Sequence, residues 1–500
     1  MSSRMDASCW SGCRLHFIGI GGCGMSGLAL MLKSRGASVR GSDQSESVTV
    51  EALREAGIGV DIGADPGHLA SETDLVIASA AIRPDHPELV RAGELGIEAI
   101  SYAEALGRAQ AGRTAVSIAG THGKSTTTAL LSHILVSCGL DPSVIVGATC
   151  PQLGGGTRTG SELIGVGHLA GSPGIFVAEA CEFNRSFHWH RPTLALINNV
   201  EEDHLDVYDS LDEIVRAFRA FAGLLPAAEA GGRLLIAHEG AHRRAVASGL
   251  ACAHSTFGWS PSADYRVDHD PEKGSTSVWR KDECLFAFRA QIVGEHNALN
   301  AAAAAILASW LGASQTGIVA AIESFGGIER RMQFLGQCRT KSGASVRVYD
   351  DYGHHPTECE RTLAALRAAE NPPRLICVFQ PHQHSRTRFL LEQFAQSFTK
   401  ADLVVVAPIY FVRDSEIERT RVCSGDLAQR LNDRGTPARA IDSFEAITAF
   451  LQDDARDGDL IVVMGAGPVD AIAHDLLRSS SMHGGASSTL ARAVAAPDRG

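Results

Sequence analysis

Gly120-Thr121-His122-Gly123-Lys124-Ser125-Thr126 gathers an ammonium, three hydroxyls and two glycines into one short run. An apolar β-type stretch, residues 114–118, precedes it, and a helical pattern, residues 126–138, follows. A glycine turn between strand and helix exposes backbone N–H groups, and the helix start adds a positive dipole. Lys124 contributes a full charge for phosphate oxygens, and the Ser125 hydroxyl is placed for Mg²⁺. The run predicts an ATP site. It departs from the Walker pattern at Ile118, where that pattern carries glycine.

Other residues join it. Glu179 ends an apolar run, residues 175–178, so its carboxylate falls at a strand's C-terminal end, where it can reach a Mg²⁺ shared with Ser125. Asp203 and His204 follow the next run, residues 194–197. Asn297 and Asn300 are three apart, on one face of an Ala-rich helix, and suit either an adenine edge or a domain hinge. Asp350-Asp351-Tyr352-Gly353-His354-His355-Pro356 and the run from Gln380 to Arg388 each follow a strand, and together suggest an anion or amino-acid site. Arg330-Arg331 stands at a block junction, as a phosphate clamp or a solvated linker.

Gly19-Ile20-Gly21-Gly22-Cys23-Gly24 is a second glycine turn after a strand, with Asp43 at the spacing of a ribose ligand. A diphosphate on a helix N-terminus and a carboxylate near a sugar fit NAD and a UDP-sugar equally. The motif alone leaves both open.

The elements that hold these residues fall into three blocks of alternating apolar strands and amphipathic helices, an α/β pattern. The boundaries read as 1–112, 113–325 and 326–478, with a Ser/Gly/Ala-rich tail, 479–500, expected to be disordered. Short alternating runs between 254 and 293 predict a small antiparallel β insertion. Thr357-x-x-Glu360 predicts a capping box that starts a helix. At 500 residues, 45 % hydrophobic and 20 % charged, the chain reads as several globular domains. A formal charge of −12 argues against nucleic acid as the partner. No long uncharged apolar stretch and no N-terminal apolar region occur, so neither a membrane span nor a secretory signal is expected. Scattered cysteines without zinc-site spacing point to a reducing cytoplasm.

The chain resembles the Mur ligases of peptidoglycan synthesis over about residues 14–478. The resemblance rests on HFIGIGGCGMSGLA (16–29), GTHGKSTTT (120–128), EACE (179–182), NNVEEDHLDVY (198–208), GEHNALNAAAA (294–304), DDYGHHPTE (350–358) and FQPHQHSRTR (379–388). It implies a Rossmann-like N-terminal domain, a central P-loop ATPase-like domain and a Rossmann-like C-terminal domain. It also implies ATP and Mg²⁺, and an ADP-forming union of an amino acid with a UDP-sugar acid. Gly-Gly-Cys-Gly-Met-Ser-Gly and Tyr-Gly-His-His look more like the branch that joins L-alanine to UDP-N-acetylmuramic acid than the branch that recycles murein tripeptide. The implied UDP-sugar residues are Gly19, Gly21, Gly22, Gly24, Asp43 and Ser79. The nucleotide falls to Gly120, Thr121, His122, Gly123, Lys124, Ser125, Thr126, Asn297, Asn300, Arg331 and Asp351. The amino acid falls to Tyr352, His354, His355 and Arg386. Lys124, His204 and Glu179 are the implied catalytic residues, and Ser125, Glu179 and His204 the metal ligands. A monomer or weak dimer is expected. Cys181 stands where many members have Asp, and no lysine lies between Lys124 and Lys273, so the carbamylated lysine of sister ligases is not expected. Two other readings stand beside this one: an NAD-dependent oxidoreductase using Gly19–Gly24, and a non-catalytic sugar-nucleotide binder with a relic ATP site.

Overall fold

The structure is a computed structural model and describes residues 10–203, 207–412 and 414–481. His204 and most of the expected tail lie outside the described residues. Three sheets carry the fold.

The first sheet has five parallel strands in the order Gly59–Ile62, Ser38–Asp43, Arg14–Ile18, Leu75–Ala78, Glu98–Ser101. Strand order reverses beside Arg14–Ile18, the place where ligands of such sheets are received, outside the strands' C-terminal ends. The second sheet has ten strands, with Thr114–Ala119 between Leu194–Ile197 and Ile175–Glu179. Its central strands are parallel and almost wholly buried, as a sheet covered on both faces requires.

The expected β insertion is not a separate sheet. Phe257 and Gly258 pair in parallel with Tyr265 and Arg266, so Tyr265–Asp270, Ser275–Arg280 and Glu283–Arg289 extend the central sheet as an antiparallel edge. The third sheet runs Gln333–Arg339, Ser345–Asp351, Leu460–Met464, Leu375–Phe379, Leu403–Val406, Ala438–Ala440, antiparallel only at its first pair.

The helix Pro356–Glu370 begins differently from the capping-box expectation. His355 is its N-cap and accepts a hydrogen bond from Thr357 N–H at 3.3 Å. Proline at the first helical position has already fixed the backbone, so Thr357 lies inside the helix. The chain divides at Glu329/Arg330 into two compact units.

Candidate functional site

The phosphate-type turn leaves the strand Thr114–Ala119 and enters the helix Lys124–Ser137. Gly123 is the helix N-cap at φ +82°, in the left-handed region that favours glycine. A Cβ there would stand 2.6 Å from Asn300 Oδ1. The turn is laced to the segment after the strand Leu194–Ile197. His122 N–H donates to Asn199 Oδ1 at 2.7 Å, and Glu201 N–H donates to Thr121 Oγ1 at 2.9 Å. Beneath it, Thr127 Oγ1 donates to Asn300 Oδ1 at 3.2 Å, and Asn300 Nδ2 donates to Asn297 Oδ1 at 3.2 Å. Both asparagines are buried, and these contacts brace the turn from below. The helix starts at Lys124, so the N–H groups of its first turn have no partner within the helix.

Lys124 Nζ donates to Glu182 at 2.9 and 3.1 Å and to the carbonyls of Gly120 and Thr121 at 2.6 and 3.1 Å. Burial works against its charge, but Glu182 and then Glu179 outweigh burial and hold its pKa above the ordinary value. Glu182 is buried, and Tyr208 Oη donates to its carbonyl at 2.5 Å. Glu179 pairs in register with Ile118, two residues before Gly120, so its strand ends beside the turn. One carboxylate oxygen of Glu179 accepts from Gly147 N–H at 2.6 Å. Carboxylate and hydroxyl oxygens at this edge are hard donors of the kind Mg²⁺ takes. Burial and Glu182 push the Cys181 thiol up to about 11, so it is a neutral thiol near pH 7.

The other turn, Gly19 to Gly24, leaves the strand Arg14–Ile18 at the reversal of strand order. Gly19 has φ +78°, and its N–H donates to Ser42 O at 2.8 Å. Gly21 N–H donates to Asp43 Oδ2 at 2.7 Å, so one oxygen of Asp43 shapes the turn. Gly22 is the N-cap of the helix Cys23–Ser34. A Cβ on Gly24 would meet Tyr102 Oη at 2.6 Å, and one on Gly27 would meet Thr157 Oγ1 at 2.0 Å. Ser79 follows Leu75–Ala78 and donates its N–H to Ile18 O at 3.0 Å. The six residues expected at the sugar nucleotide thus lie together at the C-terminal ends of Arg14–Ile18, Ser38–Asp43 and Leu75–Ala78.

In the C-terminal unit, the two loops singled out from sequence do meet. The His354 and His382 rings are 5.7 Å apart, and Tyr352 packs edge-on against His354 at 5.5 Å. The guanidinium groups of Arg330 and Arg331 lie 5.2 and 5.4 Å from the Tyr352 ring. Arg330 and Met332 on either side of Arg331 take positive φ, +59° and +46°, a strain typical of functional loops. Arg331 pairs with Glu358 at 3.1 Å. Asp351 accepts from the N–H groups of Met332 and Gly353 at 2.8 and 2.7 Å, and burial raises its pKa to about 6. Arg386 is buried in the short helix His384–Phe389.

Sequence reasoning passed over Glu182, Glu358 and Asn198. The first had a legible signal: a second carboxylate three positions after Glu179. The other two act by holding residues that were chosen.

Residues 14–114 match the Mur ligase family, catalytic domain; 118–308 match the Mur ligase middle domain; and 330–467 match the Mur ligase, glutamate ligase domain. A UDP-N-acetylmuramate–L-alanine ligase of Paenarthrobacter aurescens is 40 % identical over 92 % of this chain and 95 % of its own. One of Streptomyces avermitilis is 39 % identical over 93 % of this chain and 97 % of its own. Among solved structures, a UDP-N-acetylmuramate–alanine ligase of Thermotoga maritima superposes with a TM-score of 0.73 at 24 % identity, covering 94 % of this chain and all of that one. A murein peptide ligase of Psychrobacter arcticus gives 0.67 at 24 % identity, covering 94 % of this chain and 98 % of that one. At such identity these two show the three-domain α/β fold.

Proposed function

The chain belongs to the Mur ligase family, and from that premise we propose that it joins L-alanine to the lactyl carboxylate of UDP-N-acetylmuramic acid at the cost of ATP. What carries this reading is the Lys124–Ser125 helix start beside Glu179 on one sheet edge, in a chain similar nearly end to end to ligases of that name. We assign residues 1–112 to the UDP-sugar, 113–325 to the nucleotide and 326–478 to the amino acid. The reaction belongs in the cytoplasm.

A carboxylate is a poor electrophile. A carboxylate oxygen therefore attacks the γ-phosphorus, ADP leaves, and the acid becomes an acyl phosphate. The amine of L-alanine attacks the acyl carbon, a tetrahedral intermediate forms, and phosphate departs. Lys124 carries its charge to the phosphate oxygens, and the first-turn N–H groups of the helix Lys124–Ser137 point where charge builds up. Binding a phosphate there lets Lys124 exchange Glu182 for the nucleotide. Ser125, Glu179 and His204 are assigned to hold Mg²⁺, which when bound neutralises charge on the phosphate oxygens. The amine must lose a proton to react, and His204 is assigned to take it when its ring is not engaged with the metal. At the C-terminal ends of the first sheet's strands, Gly19, Gly21, Gly22 and Gly24 let the sugar nucleotide's diphosphate approach the backbone, with Asp43 and Ser79 at its sides. Tyr352, His354, His355 and Arg386 are assigned to alanine, and Arg331 and Asp351 to the nucleotide.

The test is phosphate release with UDP-N-acetylmuramic acid and each of L-alanine, glycine, L-serine and murein tripeptide, with Lys124→Ala as control. Release driven best by L-alanine supports the assignment. Release driven only by murein tripeptide would transfer the chain to the recycling branch.

A further inference from the structure

The central sheet carries a cavity lined by two arginines and aromatic rings away from the phosphate turn. Arg233 is the first residue of the strand Arg233–Ala237, which runs parallel to Leu194–Ile197 and through it to the phosphate strand Thr114–Ala119. The phosphate turn follows the C-terminal end of its strand, so Arg233 lies at the other end of the sheet. A cavity of about 420 Å³ opens there, lined by His168, Arg233, Tyr265, Arg280, Trp310 and Gln315 among others. That volume lies within the range of small-molecule sites, roughly 300–1,000 Å³.

Its chemistry is cationic and held in place. The Arg233 guanidinium lies 3.7 Å from the Trp310 ring centroid, and that of Arg280 lies 5.6 Å from the Tyr265 ring. Trp310 Nε1–H donates to Tyr265 Oη at 3.1 Å, and both rings are buried, so the two aromatic platforms are fixed to each other. Among the described residues, neither arginine has a carboxylate partner. Burial lowers the pKa of Arg233, the Tyr265 phenol opposes that, and the positive charge of Arg280 lowers it further. Two like charges thus line one cavity without an ion pair among the described residues, in a chain whose formal net charge is −12. That arrangement costs electrostatic energy until an anion enters.

We propose that the cavity between Arg233 and Arg280 is a binding site, distinct from the nucleotide turn, for a small phosphate-bearing anion. A phosphate monoester carries nearly two negative charges and three acceptor oxygens, which match two guanidinium forks; a single carboxylate carries one charge. The site is also physically joined to the catalytic turn. Trp310 closes the helix Glu295–Trp310, whose Asn300 supports Gly123 and Thr127 ten residues earlier, about 15 Å along the helix.

Calorimetric titration of the full chain with inorganic pyrophosphate tests this. The wild type is expected to bind one equivalent more than Arg280→Gln, and Lys124→Ala one more than the double variant, whose remaining binding is that of the N-terminal glycine turn assigned to a diphosphate. Arg280 is exposed and sits beside a like charge, so its removal is expected not to lower the melting temperature in phosphate-free buffer. Its loss is expected to weaken the second site at least about tenfold, as for one charge-assisted hydrogen bond. Titrating Lys124→Ala with adenosine monophosphate distinguishes the source: binding abolished by Arg280→Gln assigns the site to a nucleoside phosphate, and pyrophosphate binding alone assigns it to inorganic phosphates. A Lys124→Ala variant that binds neither, or a second site that survives Arg280→Gln at full affinity, would overturn the proposal.

Discussion

The two glycine turns share a plan, strand then turn then helix, yet they are built for different loads. In the first, Gly24 and Gly27 let a helix press against Tyr102 and Thr157, and a carboxylate, Asp43, shapes the loop. No lysine or arginine stands between Gly19 and Gly24. In the second, a lysine is locked between two carbonyls and a buried carboxylate, over a floor of asparagine side chains. The first turn offers a phosphate only backbone N–H groups and a helix dipole. That suits the role proposed for it, holding a diphosphate that does not react. The second adds a full charge, as the phosphoryl transfer proposed there requires.

The largest effect should come from removing that charge. Lys124→Ala is expected to cut phosphate release by about 10³-fold, about 4 kcal/mol of barrier, with the affinity for UDP-N-acetylmuramic acid unchanged. Asp43→Ala is expected to raise the KM for the sugar nucleotide about tenfold, at nearly constant kcat, through the loss of one shaping hydrogen bond. Equal losses of kcat in both variants would erase the distinction between a reacting and a holding turn.

The foundations differ as well. The first strand carries His16, buried against Glu88 at 2.6 Å, with Ser42 Oγ donating to the same carboxylate at 2.8 Å. Burial works against the Glu88 charge, but these partners prevail and keep its pKa below the usual value. The phosphate strand carries Ser117, 2.8 Å from His190 Nδ1, and burial drives the His190 pKa down to about 3. A neutral buried imidazole makes the unfolded state the better proton binder between pH 6.5 and 3, so stability falls as pH falls through that window. The loss at pH 5 is about 2 kcal/mol, from 1.36 kcal/mol per pH unit. Glu88 keeps its stabilising contribution until pH drops below the ordinary Glu range. Denaturation from pH 7 to 5 should therefore show a slope that His190→Gln flattens. An unchanged slope would show that His190 is not the group responsible.

Packing separates the turns on a smaller scale. Gly27→Ala forces a methyl group to within 2.0 Å of Thr157 Oγ1, so it should cost roughly 1–3 kcal/mol of stability. Thr157→Ala in the same chain should restore most of it, because the oxygen in the way is gone. A double-mutant cycle by urea denaturation measures the coupling.

Much of this was legible in the residues. A glycine turn announces itself, since few other residues take φ near +80°, and Lys-Ser after it names the ligand class. Elements with near-continuous apolar runs, such as Leu460–Met464, were equally plain. What escaped depends on neighbours distant in sequence. Asn198 and Asn300 are 102 positions apart, and only the fold brings them to 3.4 Å. Pro356 and His355 outcompeted Thr357 as the helix start because proline fixes the first turn, a local contest that the capping-box pattern ignores. The strands from Tyr265 to Arg289 read as an insertion because their alternation is antiparallel. Their attachment to the sheet rests on two paired residues, Phe257 and Gly258, that no periodicity marks.

Glu182 provides the smallest and most discriminating test of the difference between the turns. Its carboxylate occupies the Lys124 ammonium much as a phosphate would, so nucleotide binding must displace it. Glu182→Gln keeps the shape and an acceptor oxygen but removes the competing charge. The variant should lose stability without ligand, because Lys124 stays largely buried with a weaker partner. It should then regain more than the wild type on adding ATP, through mass action on the better-exposed lysine. A difference of about 1 kcal/mol corresponds, for a unit of this size, to an ATP-induced melting shift roughly 1–2 °C larger than that of the wild type. No comparable gain is expected from UDP-N-acetylmuramic acid, because the turn proposed to receive it has no lysine to release. A larger shift with both ligands would mean that Glu182 supports the whole unit rather than guarding one charge.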